Sequence, residues 1–481
     1  MTRLSDEQSI PAKKVSFTAK AQLSLVEHAL CPLDSDRSLQ PGFCFETQYL
    51  FTDPNRNRKT AKVRIGTLDG LSAHDEFYLW GLLSLAVSQP EASADFYATP
   101  YYCLRRLGVI TAEKKGGREF ELFRAALKRL AGVRYQNDHF YDPVRGEHRS
   151  VSFGFLNYSL PLDLNSNRAW RFAWDPIFFE LVEAAGGALA FDLHRYKEFD
   201  VATRRLYLFL KKLFWRQDVT SDLDLRHIAV HVLGFNETLE TARLKWNVRH
   251  CIDELLAAEL ILLLPGTASS KDVFSKKAKG HYTFQLHRGP AFEQPLPATS
   301  FAAQDSALFD PLKQIGFDER AITHILKTYS PRLIEQWADI TLAARERQGE
   351  KFFTKSPQAY FTDNLKAAAA DRRTPPDWWR ELRKRERELE REQEQSKSQL
   401  LSTKGTSFED YLKHEAREAF EKTMQQLLSD LERSGKSAGE ARSHAQELTR
   451  AHFWNQFRKE HPEVGNTDRP QLLGSFFKQP R

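Results

Sequence analysis

Apolar residues recur at three- and four-residue spacing at Phe120, Phe123, Leu127 and Leu130, while Arg118, Glu121, Arg124, Lys128 and Arg129 occupy the other faces. This spacing predicts an amphipathic helix over Glu119–Ala131. A more uniformly apolar helix is expected over Ala73–Ser88. Ser72 is placed to cap it, and Asp75 and Glu76 lie in its first turn, where the helix dipole favours acids. A short helix over Pro100–Leu107 opens on proline and closes at Gly108. Strand-like runs at Phe45–Phe51 and Ala61–Leu68 flank a basic, turn-rich segment, Asp53–Lys59. Two more, Val133–Tyr141 and Ser150–Leu160, flank the turn Asp142-Pro143-Val144-Arg145-Gly146. Three helices followed by a hairpin is the element order of a winged helix.

The same order returns downstream. Arg168–Ala173 and Ala188–Leu193 read as strands around a helix, Pro176–Glu183. Helices are then expected at Thr203–Trp215, at Leu225–Leu233, and at Thr238–Glu259, where Leu244, Val248, Ile252 and Leu255 share a face. Strands at Ile261–Leu264 and His281–His287 enclose a polar loop, Gly266–Gly280. The repeat is one of element order, not of residues.

The expected fold class is therefore mainly α, α+β, with two tandem winged-helix domains followed by a helical C-terminal region. An N-terminal arm (residues 1–45) precedes the first winged helix (46–165) and the second (166–289). A linker (290–306) leads to a small helical module (307–370), then to a charged helical extension and tail (371–481). Asp377-Trp378-Trp379 beside the charged run suggests an aromatic pair for partner docking or single-strand stacking, or equally a packing contact.

Composition narrows the function classes. The chain has 481 residues, 41% hydrophobic and 12% aromatic, enough for packed cores. Four dispersed cysteines without a CxxC pair argue against a zinc ribbon, a redox pair or a disulfide-stapled secreted domain. No 18-residue apolar run and no apolar signal core are present, so a cytoplasmic location without membrane insertion is expected.

The net charge of +6 excludes a uniformly basic protein but conceals segregation. The windows Arg105–Arg134, Arg195–Arg216, Thr241–His250 and Lys271–Arg288 carry +6, +5, +3 and +4, so the remainder is −12. These windows fall on the first and third helices and the wings that a tandem winged helix presents to DNA, where cations displace condensed counterions. The candidate DNA contacts are Arg118, Arg124, Lys128 and Arg129 in the first unit. In the second they are Arg204, Arg205, Lys211, Lys212, Arg243, Lys245, Arg249 and His250, with Lys276, Lys277 and Lys279 on the wing. Trp246 is either outward-facing or core.

No enzyme motif survives inspection. Gly435-Lys436-Ser437 resembles the end of a phosphate-binding loop, but Asp430 stands where its first glycine belongs. His227 and His231 have metal-ligand spacing on a short helix without an evident third ligand. Tyr101-Tyr102 begins a helix, as core aromatics do. No catalytic residue, metal or cofactor is expected.

Phe120–Tyr135 resembles the helix-into-strand segment of the plasmid replication initiator protein A family, and Phe153–Asn157 its following strand. Trp174–Val182 and Phe191–Phe199 are similar to its mid-region. Thr203–Lys212 resembles the Arg-Arg-aromatic helix that opens its second unit. The likeness runs over Leu68–Leu264. It implies a sequence-specific protein that binds double-stranded origin repeats (iterons), helps melt adjacent AT-rich DNA and recruits host helicase machinery; many members of that family also repress their own promoter as homodimers. Phe352–Leu365 is similar to helical segments near the ends of some plasmid and phage replication proteins. A winged-helix transcriptional repressor and a DNA-independent interaction scaffold are the alternatives, with a nickase or primase least favoured.

Overall fold

The computed structural model describes residues 17–52, 57–89, 91–110, 117–161, 166–292, 306–404, 416–433 and 438–460. The phosphate-loop-like Gly435-Lys436-Ser437, most of the expected linker and the Glu463–Arg481 tail lie outside these residues.

The chain is a mixed α+β protein. Its elements begin with β1 (Thr18–Gln22), α1 (Ser35–Ser38) and the long hairpin β2 (Cys44–Thr52) and β3 (Arg58–Thr67). Next come α2 (Asp75–Val87), β4 (Asp95–Ala98), α3 (Pro100–Arg106) and α4 (Gly117–Ala131). Four strands follow: β5 (Val133–Asp142), β6 (Glu147–Phe153), β7 (Leu156–Ser159) and β8 (Trp170–Trp174). Helix α4 forms where the sequence predicts it, because Phe123, Leu127 and Leu130 bury one stripe against α2 and α3.

The hairpin Val133–Tyr141/Ser150–Leu160 is present as β5–β6, turning through Gly146 at φ +69, which favours glycine. It is not the wing, however. It joins β2 and β3 in a four-stranded antiparallel sheet of order β2-β3-β5-β6. The winged-helix sheet of the first unit is instead β4-β8-β7, with Phe96 opposite Phe172 and Tyr158 beyond it. The strand assigned to the second unit at Arg168–Ala173 therefore pairs into the first, and the boundary expected at residue 165 cuts through this sheet.

The expected N-terminal arm is also corrected where it is described. Strand β1 pairs with β9 (Ala188–Asp192), which follows α5 (Pro176–Glu183). Leu25, Val26, Leu30 and Cys31 are buried in the same core as the winged helices. Apolar burial on this scale holds an arm as part of the domain.

The second unit follows winged-helix topology closely. After α6 (Leu193–Glu198) come α7 (Val201–Phe214), β10 (Leu223–Asp224) and α8 (Leu225–His227), which continues as a π-helical turn through Val232. Then come α9 (Thr241–Ala257), β11 (Ile261–Leu262), β12 (Ser275–Ala278), β13 (His281–Phe284) and β14 (His287–Arg288). The sheet order β10-β13-β12 places the strand before α8 beside the returning wing strand.

Four helices form the expected helical module: α10 (Phe309–Ile315), α11 (Glu319–Thr328), α12 (Pro331–Gln348) and α13 (Pro357–Ala369), around Trp337, Ile334 and Phe361. The charged run forms α14 (Asp377–Lys404). Residues up to 394 form one compact unit; those from 395 form another. Within the latter, α15 (Arg417–Arg433) and α16 (Ala438–Glu460) pack through Phe420, Phe453, Trp454 and Phe457.

Candidate nucleic-acid interface

The third helix of the second unit, α9, buries Leu244, Val248, Cys251, Ile252 and Leu255. That fixes the opposite face, and Arg243 and Trp246 lie exposed on it with Arg249 half-buried. The Arg243 guanidinium stacks 4.3 Å from the Trp246 ring centroid, so the pair offers a planar cation on an aromatic platform. The first three turns of α9 carry no acid. The Lys245 ammonium sits 3.5 Å from the ring centroid of Tyr282 on wing strand β13, tying helix to wing.

Lys276 and Lys277 stand exposed on β12, and Lys279 is exposed in the tight turn to β13. This segment was expected as a loop and is a strand. Lys277 also pairs with Asp222 at 2.9 Å, a half-exposed contact that phosphate can displace. In the first unit, Arg118, Arg124 and Lys128 line the outer face of α4. Arg124 lies 3.7 Å from Glu121 and Lys128 3.0 Å from Asp69.

Several expected contacts are structural instead. Arg129 donates two hydrogen bonds of 2.7 Å to the buried Asp75. Arg205 is buried, donating to Glu76 at 2.5–3.2 Å and to the Leu233 carbonyl at 2.6 Å. The two acids of the first turn of α2 thus hold an arginine from the third helix of one unit and the first helix of the next. Gly234, at φ +84, lies against this guanidinium, and an added Cβ there would also come 2.9 Å from the Cys31 carbonyl.

Arg204 donates to the Tyr196 and Lys197 carbonyls. Lys212 pairs with Glu27 at 2.5 Å and donates to the Leu23 carbonyl. Lys211 packs 5.3 Å from the Phe292 ring centroid, and burial pushes its ammonium pKa down. His250 lies between Asp200 and Glu254, at 3.8 and 3.5 Å, and their negative potential ill suits it to phosphate. These cations are withdrawn from the interface because partners on other elements already neutralise or cover them.

The residues that lead into β8 are also engaged. Arg168, just before β8, is buried and donates to Asp339 on α12 and to Glu386 on α14 at 2.8–3.3 Å. Ser166 and the Asn167 amide donate to Glu346. Trp379 donates to Asp339 at 2.7 Å, and Trp378 lies under Arg347, so the Trp378-Trp379 pair packs within the chain. Glu335, beside this cluster, has its carboxyl pushed up to about 7 by burial and by Asp339.

Sequence reasoning passed over the β2–β3 hairpin as a source of contacts, yet Arg58, Lys59 and Lys62 are exposed along β3. The basic composition of Asp53–Lys59 was the available signal. His227 and His231 stack at 5.3 Å. Thr47 and Gln48 lie 3.3 and 3.2 Å from the two ring nitrogens of His231, and burial with His231 and Arg58 lowers His227 to about 4. All four cysteines are free thiols. No helix among the described residues is long and apolar enough to cross a membrane.

Fold and surface together define a mixed α+β protein built on winged-helix units with a helical C-terminal region. No known family model and no curated protein sequence matches the chain. Among solved structures it is similar to domains 2 and 3 of RctB, with 15% identity and a TM-score of 0.35, over 55% of this chain and 96% of that one.

Proposed function

We propose that this chain is a sequence-specific initiator of plasmid replication that acts by binding double-stranded origin repeats in the cytoplasm. The observation that carries the DNA-binding part is α9 with its adjoining wing. A helix sized for the major groove exposes Arg243 and Trp246, with Arg249 half-buried on the same face, beside Lys276, Lys277 and Lys279, and carries no acid in its first three turns. Arg118, Arg124 and Lys128 on α4 give the first unit a second, weaker contact with the neighbouring groove. The initiator part rests on the family resemblance of Leu68–Leu264. In this reading the chain binds and deforms DNA without a chemical step. Its C-terminal helices contact a host helicase or initiator.

The test is a mobility-shift titration of the full chain on its plasmid's origin repeats and on scrambled DNA, at two salt concentrations. Preferential binding to repeats, with plasmid replication lost when the gene is deleted, is the expected result. Equal affinity for both DNAs contradicts the initiator reading. Repeat binding with undiminished replication of a deleted plasmid assigns the repressor class instead.

A further inference from the structure

Asp200, His250 and Glu254 bring three ligand atoms from two helices to within 4.8 Å of one another. Asp200 is the N-cap of α7, and one carboxylate oxygen accepts the Thr203 amide at 2.7 Å, which orients the other toward His250. His250 and Glu254 stand four residues apart on α9 and share a face. The His250 ring lies parallel to that of Trp246, 8° between planes with centroids 6.1 Å apart.

The three ligand atoms are close enough to converge on one ion. Nε2 lies 3.8 Å from Asp200 Oδ2 and 3.5 Å from Glu254 Oε1, too long for charge-assisted hydrogen bonds. Ligand atoms on a tetrahedral ion at 2.0–2.2 Å are separated by about 3.3–3.6 Å, a spacing that His250 and Glu254 already have and that the Asp200 carboxylate reaches by moving inward. The second oxygen of Glu254 is inaccessible to solvent and has no hydrogen-bond partner. Asp200 and His250 also line a cleft of about 410 Å³, which gives an ion a route in.

We propose that Asp200, His250 and Glu254 form a site for a zinc-class divalent ion, completed by water, that clamps the recognition helix α9 to the start of α7. One imidazole and two carboxylates suit zinc and its first-row neighbours better than calcium or magnesium, which take oxygen ligands alone. The clamp fixes α9 next to Trp246 and Arg243, so occupancy stiffens the face offered to DNA. The site stands on its own ligands and does not depend on DNA being the partner.

The experiment is calorimetric titration of the chelator-treated full chain with Zn²⁺, with Co²⁺ absorption as the ligand-sensitive probe. Wild type is expected to bind one equivalent that His250→Ala weakens by more than about 100-fold, since losing a ligand exceeds the loss of a supporting contact. Glu254→Gln weakens it too, and zinc raises the melting temperature of wild type but not of His250→Ala. His250 is exposed, so its removal leaves the fold intact, which circular dichroism checks. Absence of saturable binding overturns the proposal. So does binding that His250→Ala leaves unchanged, or that His227→Ala abolishes instead.

Discussion

Arg205→Met tests whether a cation drawn from a basic stretch of sequence belongs to the interior. Only 4% of the Arg205 side chain and 6% of the Glu76 side chain are exposed, and the guanidinium serves both Glu76 and the Leu233 carbonyl just before Gly234. Methionine fills much of the same volume but leaves Glu76 buried without its partner. Removing one member of a buried pair costs about 3–5 kcal/mol, because the remaining charge loses its compensation. At about 2–4 °C per kcal/mol, the melting temperature should fall by roughly 10 °C. Adding Glu76→Leu should recover much of that loss, since an apolar pair carries no stranded charge. The assay is a double-mutant cycle by calorimetry, with DNA affinity measured below both transitions. A melting temperature within about 2 °C of wild type, together with a tenfold loss of DNA affinity, would refute the structural role and return Arg205 to the interface.

Three further outcomes follow from the same geometry. His28 is fully buried, placed for its Nδ1–H to donate to the Ala29 carbonyl and its Nε2 to accept from Tyr135; burial lowers it to about 4. Its depressed value contributes about 3 kcal/mol above pH 6.5 that is lost as pH falls toward 4, whereas the raised Glu335 acts in the opposite sense between about 4.5 and 7. Chemical denaturation at pH 7.5 and 5 should therefore show a smaller acid-induced loss in His28→Gln than in wild type; identical losses would count against it. Arg168→Met strands Asp339 and Glu386 and should speed hydrogen exchange across β7, β8 and α12 while α9 is unaffected; unaltered exchange in those three elements would dismiss the structural role of Arg168. Replacing Lys276, Lys277 and Lys279 with glutamine should flatten the salt dependence of DNA binding by about 0.9 per lost phosphate contact. An unchanged slope would remove the wing from the interface.

One-sided helices were legible in the sequence because their burial is local. The stripe through Phe123, Leu127 and Leu130 specifies α4, and that through Leu244, Val248 and Ile252 specifies α9, within a few residues. The β5–β6 turn was equally clear from Asp142–Gly146. Strand partners were not, because alternation reveals which face is buried and not which strand lies alongside. Nothing near Trp170 announces β4 more than seventy residues earlier as its neighbour. Charge was misread for a related reason. A window along the chain counts Arg129, Arg205 and Lys212 as free cations, while the acids that hold them, Asp75, Glu76 and Glu27, arrive from other elements. Arg243, Lys276 and Lys279 stand exposed, Arg249 is half-buried, and Lys277 meets its acid, Asp222, at the surface rather than in the interior.

The central claim, that α9 reads DNA sequence, is tested most directly by competition anisotropy on the full chain. The quantity is the affinity ratio between an origin repeat and scrambled DNA, for wild type and for Arg243→Ala with Arg249→Ala. Each good base contact is worth about 1–3 kcal/mol of discrimination. The pair should therefore lower the ratio by at least tenfold, with little change in affinity for scrambled DNA. A ratio that stays at the wild-type value while both affinities fall together would show that α9 only grips phosphate, and would contradict the account.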